Sequence, residues 1–192
     1  MKNSLRLFLG AIGLTVALTA YGDTADLSKG MLGHWRTQCS VASGFSQSSI
    51  DDYVTQEDGS GLQTTTYYAD LGCTQPVISQ EWTYAQTLGD DVRAGLKKID
   101  LSYTAVSVTA LTEAGKTVLE TYGYCGLTAW PVNEKQDMTS RSGTSHCMIK
   151  IPYTDYTVIS IIGDRLYLGK FAGNPNDRAS DVSMDWHLIR VP

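Results

Sequence analysis

The side chains best equipped for chemistry are three histidines (His34, His146, His187), four cysteines (Cys39, Cys73, Cys125, Cys147) and the carboxylate pairs Asp51-Asp52 and Asp90-Asp91. Their spacing assembles no catalytic set. A Gly-x-Ser-x-Gly elbow, which would raise a serine nucleophile on a tight strand-to-helix turn, is absent. Neighbouring residues on a strand point to opposite faces, so Asp51 and Asp52 do not converge as an acid–base pair. There is no Cys-x-x-Cys, and the one close cysteine–histidine neighbour is His146 beside Cys147, which is poor zinc spacing. No glycine-rich loop is placed to cradle a phosphate. His34 and His187 are expected as surface residues on the terminal strands. The sequence therefore predicts a non-enzymatic protein with no metal and no cofactor.

The cysteines point instead to a compartment. Residues 1–22 read as a cleaved signal peptide: Lys2 and Arg6 lead into an apolar stretch, and the small residues Ala20 and Gly22 precede Asp23. That stretch is shorter than the roughly 20 residues that span a bilayer. Position 21 is Tyr, with no thiol to carry a lipid. No stable membrane anchor is expected, and the product is read as periplasmic or secreted. In such a compartment an even number of cysteines predicts two disulfides. Of three possible pairings, Cys39–Cys73 and Cys125–Cys147 are favoured because each staples neighbouring strands.

The formal net charge is −5 over 192 residues, and the leader contributes only basic groups. Nucleic acid is excluded as a partner, since neutralising phosphates needs a basic surface that this chain lacks. Residues 23–192 are long enough for one domain with a real core, and no internal boundary or repeat interrupts them.

The elements that must position any site are short alternating runs separated by turn residues, which predicts an all-β antiparallel domain. Strands are expected at 31–39, 48–57, 62–69, 77–87, 95–102, 103–111, 117–125, 153–162, 165–171 and 181–191. Turns fall at Asp58-Gly59-Ser60-Gly61, at 70–76, at Gly89-Asp90-Asp91, at Glu113-Ala114-Gly115-Lys116 and at Gly163-Asp164. Residues 126–145 lose periodicity and read as a long surface excursion. In the last strand Val182, Met184, Trp186, Leu188 and Arg190 share one face. Eight to ten strands without a crossover helix predict a closed barrel or a sandwich, since closure removes exposed edges.

Gly33-His34-Trp35 on the first strand, with Arg190 on the last, resembles the signature of lipocalins and the wider calycin group. The resemblance implies an up-and-down β-barrel, with Trp35 sealing one end and Arg190 packing across it. Gly33-His34-Trp35, Cys39 and the run Tyr68-Ala69-Asp70-Leu71-Gly72-Cys73-Thr74-Gln75-Pro76 also resemble the extracellular domain of the adenomatosis polyposis coli down-regulated family. That family comprises lipid-taking β-barrels that act on lipid-modified Wnt proteins. The resemblance, over roughly residues 31–76, implies a barrel and a hydrophobic ligand.

The predicted interior mixes aromatic, hydroxyl and amide groups: Ile78, Gln80, Trp82 and Tyr84 on one strand, and Leu62, Thr64, Thr66 and Tyr68 on its neighbour. Buried hydroxyls and amides want partners, so such faces suit a cavity better than a dry core. Tyr68, Trp82, Tyr84 and Trp186 are the expected ligand-binding residues, and the expected partner is a small hydrophobic or amphipathic molecule. The alternative is a binding or inhibitor module that grips another exported protein through loops such as 126–145.

Overall fold

The computed structural model describes residues 27–42, 46–144, 147 and 150–192. The expected leader and His146 lie outside these residues.

The alternating runs form ten strands: β1 (Gly33–Thr37), β2 (Ser40–Val41), β3 (Ser48–Thr55), β4 (Ser60–Tyr68), β5 (Pro76–Arg93), β6 (Leu96–Ala110), β7 (Gln136–Asp137), β8 (Tyr153–Ile162), β9 (Arg165–Gly169) and β10 (Val182–Arg190). Eight of them close an antiparallel barrel in the order β1, β10, β9, β8, β6, β5, β4, β3 and back to β1. β2 pairs with β3, and β7 pairs with β6. Each barrel strand pairs with the next barrel strand in sequence, including β6 with β8, whose connection is the long excursion rather than a hairpin.

Turn chemistry sets the hairpins. Gly59 and Gly163 take positive φ at the β3–β4 and β8–β9 corners. The Asp70 carboxylate accepts from the backbone N–H groups of Gly72, Thr74 and Gln75, the last at 2.9 Å, and fixes the approach to β5. The Gly89-Asp90-Asp91 turn does not form: β5 continues through it with ladder irregularities, and the reversal falls at Gly95, whose φ is +73°. The strands expected at 95–102 and 103–111 are accordingly one strand. It carries a bulge opposite Thr83 and Tyr84, which keeps Tyr103 and then Val106 on the inner side.

The expected hairpin at 113–116 and strand at 117–125 are instead a helix. Here α1 is Leu27–Gly30 and α2 is Glu113–Thr121. Thr112 caps α2 by accepting from the Gly115 N–H at 3.1 Å, and Glu113 sits in the first turn where the helix dipole favours an anion. Gly115, read as a turn signal, serves close packing: a Cβ there would lie 1.9 Å from the Val77 carbonyl oxygen.

Two apolar clusters fill the barrel. One holds Leu27, Met31, Trp35, Leu101, Leu166 and Leu188 at the end covered by α1. The other holds Val77, Ile78, Val108, Leu119, Trp130 and Met138 beneath α2 and the excursion. Disulfides join Cys39 to Cys73 and Cys125 to Cys147, across 34 and 22 residues. The second one closes the excursion, whose Trp130 and Met138 are 2% and 1% exposed, so it is anchored rather than a free surface loop.

Gly115→Ala is expected to destabilise the protein by about 2–3 kcal/mol, since the methyl meets a backbone carbonyl that cannot rotate away. Urea unfolding measures this. A variant as stable as the parent would show that α2 is not seated on β5.

Candidate ligand-binding site

The barrel has one sealed end. Trp35 and Arg190 are direct partners in the β1–β10 ladder, and the Arg190 guanidinium lies 4.6 Å from the indole ring centre. Arg190 donates to the carbonyls of Leu32 at 3.2 Å and Gly30 at 2.5 Å, and the Trp35 indole N–H donates to the Met31 carbonyl at 3.1 Å. A planar cation thus stacks on the ring while satisfying carbonyls at the end of α1, where a helix dipole is negative. Leu27 and Met31 turn inward as the plug. Above it a small void of about 30 Å³ separates Trp35 from Tyr84, space for little more than a water.

The other end holds a pocket of about 340 Å³ lined by the inner faces of β3, β4, β5, β6, β8 and β10. Its aromatic wall is Trp82, Tyr103 and Tyr153. The two tyrosine rings stack at 4.7 Å, and the indole stands edge-on to both. Across from them Phe171 and Trp186 meet edge to face at 6.2 Å. Phe171 is placed by the neighbouring Ala172, which exchanges both backbone hydrogen bonds with Tyr156. Polar groups complete the lining: Gln63, Thr65 and Tyr67 from β4, Gln80, Asp51 and Asp155. Tyr103 donates to Gln63 at 2.8 Å, and Tyr67 to Gln80 at 3.0 Å.

Charge in this pocket has one sign. Asp51 accepts from Thr65 Oγ1 at 2.5 Å, whereas the Asp155 carboxylate accepts no hydrogen bond from the described residues. Burial pushes both carboxyl groups above the ordinary carboxylate value. Asp52 adds to this for Asp51, and hydrogen bonds from Thr65 and Gln63 oppose it. Burial likewise raises the phenols of Tyr67, Tyr103 and Tyr153. On the outer face the adjacent Asp52 accepts from Arg36 Nε at 2.7 Å and contacts His34 Nε2. Asp51 and Asp52 do occupy opposite faces, and the inner one carries the site.

The four residues expected to bind ligand are divided by the structure. Trp82 and Trp186 line the pocket. Tyr84 is 2% exposed and lies below it, donating to or accepting from Thr55 Oγ1 at 2.8 Å. Tyr68 is a correction, since it stands on the outer face near Arg36 and Asp52. The cause is strand parity: Gln63 pairs with Trp82 and Thr65 with Gln80, which turns Gln63, Thr65 and Tyr67 inward and leaves Leu62 37% exposed. In the last strand Met184 is 60% exposed, because the register with β9 shifts between Val182 and His187. His34 is half-buried in its contact with Asp52, and His187 is half-buried with its ring 5.5 Å from Tyr167, so neither is a simple surface residue. Asp51, Tyr103, Tyr153, Asp155 and Phe171 were not anticipated. Alternation with buried Tyr53 is the sequence signal that would have found Asp51.

A larger groove of about 570 Å³ runs along the outer face beside β7. It has no aromatic lining residue, and its Lys135 is paired with Glu81 at 2.6 Å. Among the described residues no group of three or more potential metal ligands gathers, and no helix is long and apolar enough to cross a membrane. No protein-family model matches this chain, and no curated protein matches it significantly.

Two measurements probe these arrangements. Arg190→Ala is expected to lower stability by about 2–3 kcal/mol, through the lost stacking and two charge-assisted hydrogen bonds, with Arg190→Lys recovering part of it. Equal stability of all three proteins in chemical denaturation would overturn this role. The second concerns pH. A carboxyl whose folded-state pKa is raised supports folding below its unfolded value, and that support disappears as pH rises through the folded value. The double variant Asp51→Asn/Asp155→Asn should therefore melt above the parent at about pH 7, with the gain shrinking toward about pH 4. A gain that is constant with pH, or a loss at neutral pH, contradicts the burial argument.

Proposed function

We propose that this chain is an exported, non-enzymatic binding protein that holds a small amphipathic molecule in the aromatic pocket of its barrel. The observation that carries the reading is the pocket itself: about 340 Å³ inside a closed barrel, with stacked and edge-on rings on its walls and a few polar groups among them. That volume falls within the range of small-molecule sites, and apolar walls with a few fixed polar groups are what such sites use to orient a ligand. The resemblance of Gly33-His34-Trp35 and Arg190 to the lipocalin signature supports the same reading, as does the closed end they form. Two disulfides favour an oxidising compartment, periplasmic or secreted. The alternative, a module gripping another exported protein through 126–145, is less well supported because that segment packs Trp130 and Met138 inward.

Native mass spectrometry of the protein exported from its own cells should reveal a co-purifying small molecule. Its removal and return should change tryptophan fluorescence through Trp82 and Trp186. Trp82→Ala is expected to weaken binding about tenfold or more, as loss of a buried aromatic anchor does. Absence of a bound molecule, combined with no fluorescence response to any amphipathic probe, would sink the proposal.

A further inference from the structure

The pocket carries two carboxylates, Asp51 and Asp155, and none of its described lining residues is Lys, Arg or His. Neither carboxylate has an ion-pair partner among the described residues. By contrast Asp52, one residue away on the outer face, is paired with the Arg36 guanidinium and in contact with His34. The same pocket that holds the two inner carboxylates is lined by the rings of Trp82, Tyr103, Tyr153 and Phe171. Electron-rich aromatic faces attract organic cations within about 6 Å. An anionic head in the same place would meet two like charges in a partly desolvated site, where repulsion is poorly screened.

We infer that the pocket selects an organic ammonium cation bearing an apolar body, the ammonium seated between Asp51 and Asp155 and the body against the aromatic wall. This rests on the ligand-binding reading of the pocket and narrows it: fatty carboxylates are disfavoured, and the missing countercharge is brought by the ligand. The arrangement also accounts for two aspartates kept inside a barrel at a cost to stability.

Three probes with one eight-carbon chain separate charge from apolarity: octyltrimethylammonium, octanoate and octanol. Each is titrated into the full chain and followed by tryptophan fluorescence and calorimetry. Octyltrimethylammonium is expected to bind about tenfold or more tighter than octanoate, with octanol between them. Asp155→Asn and Asp51→Asn/Asp155→Asn should erase that order. Circular dichroism and urea unfolding check that each variant is folded. If octanoate or octanol binds as tightly as the ammonium, or if the Asn variants keep the preference, the charge assignment is overturned and the binding reading stands. If none of the three binds and no molecule co-purifies, the binding reading falls with it.

Discussion

Everything else in this molecule depends on β1 being paired on both sides, with β10 along one edge and β3 along the other. Without that short strand the sheet is open, and its inner faces have no fixed opposite wall. With it, every second residue of eight strands is committed to an interior whose diameter is set by strand number and stagger. The Trp35–Arg190 stack lies on this seam. It secures closure at the position where the last strand meets the first, and its carbonyl partners tie in α1 at the same time. A single guanidinium thus ties the last strand to the stretch from Gly30 to Trp35, which is about 160 residues away in sequence.

Closure also explains how the barrel can be solid at one end and accessible at the other. Near α1 the inward residues are Leu, Ile, Met and Trp, which pack without polar loose ends. Above Tyr53, Tyr84 and Tyr103 they change to Gln, Thr, Tyr and Asp, which need partners or water. Part of that need is met internally, by Tyr103 with Gln63, Tyr67 with Gln80, and Gln80 with Tyr124. The carboxylates are the remainder. The cost of desolvating them is not offset by a cation from the described protein, and this imbalance gives the pocket its sign.

Residue types made much of this legible. The alternation of the last strand put Arg190 beside Trp186 and Leu188, and the Gly-x-Trp start gave it a partner; strand spacing also favoured the disulfide pairs that form. What the sequence did not reveal was parity. Strand β4 has one aliphatic residue, Leu62, among Thr, Gln and Tyr, so hydrophobicity alone put the wrong face inside and Tyr68 in place of Tyr67. Cross-strand register to β5 decides that question, and register is a tertiary property. Helix α2 was hidden for a different reason. Gly115 has poor helix propensity, and only its contact with the Val77 carbonyl explains why a glycine is needed in that turn. Asp155 was invisible because its strand reads as ordinary Thr- and Tyr-rich sequence until Leu101 is placed opposite it.

The excursion between β6 and β8 links these points. In a simple meander β6 would return directly through a hairpin, and the upper half of its inner face would lack cover. Instead α2 packs Leu119 against Val77 and Ile78, while Trp130 and Met138 close over Val106 and Val108. Trp82 and Ile151 border both apolar clusters, so the wall of the pocket is continuous with this added cover. The Cys125–Cys147 disulfide shortens the excursion in the unfolded chain and keeps Trp130 near its seat. A rigid second layer behind Trp82 fixes the angle of its ring against Tyr103 and Tyr153 before any ligand arrives. Preorganised rings would lose little entropy in the proposed binding, which favours discrimination by charge in a pocket of modest volume.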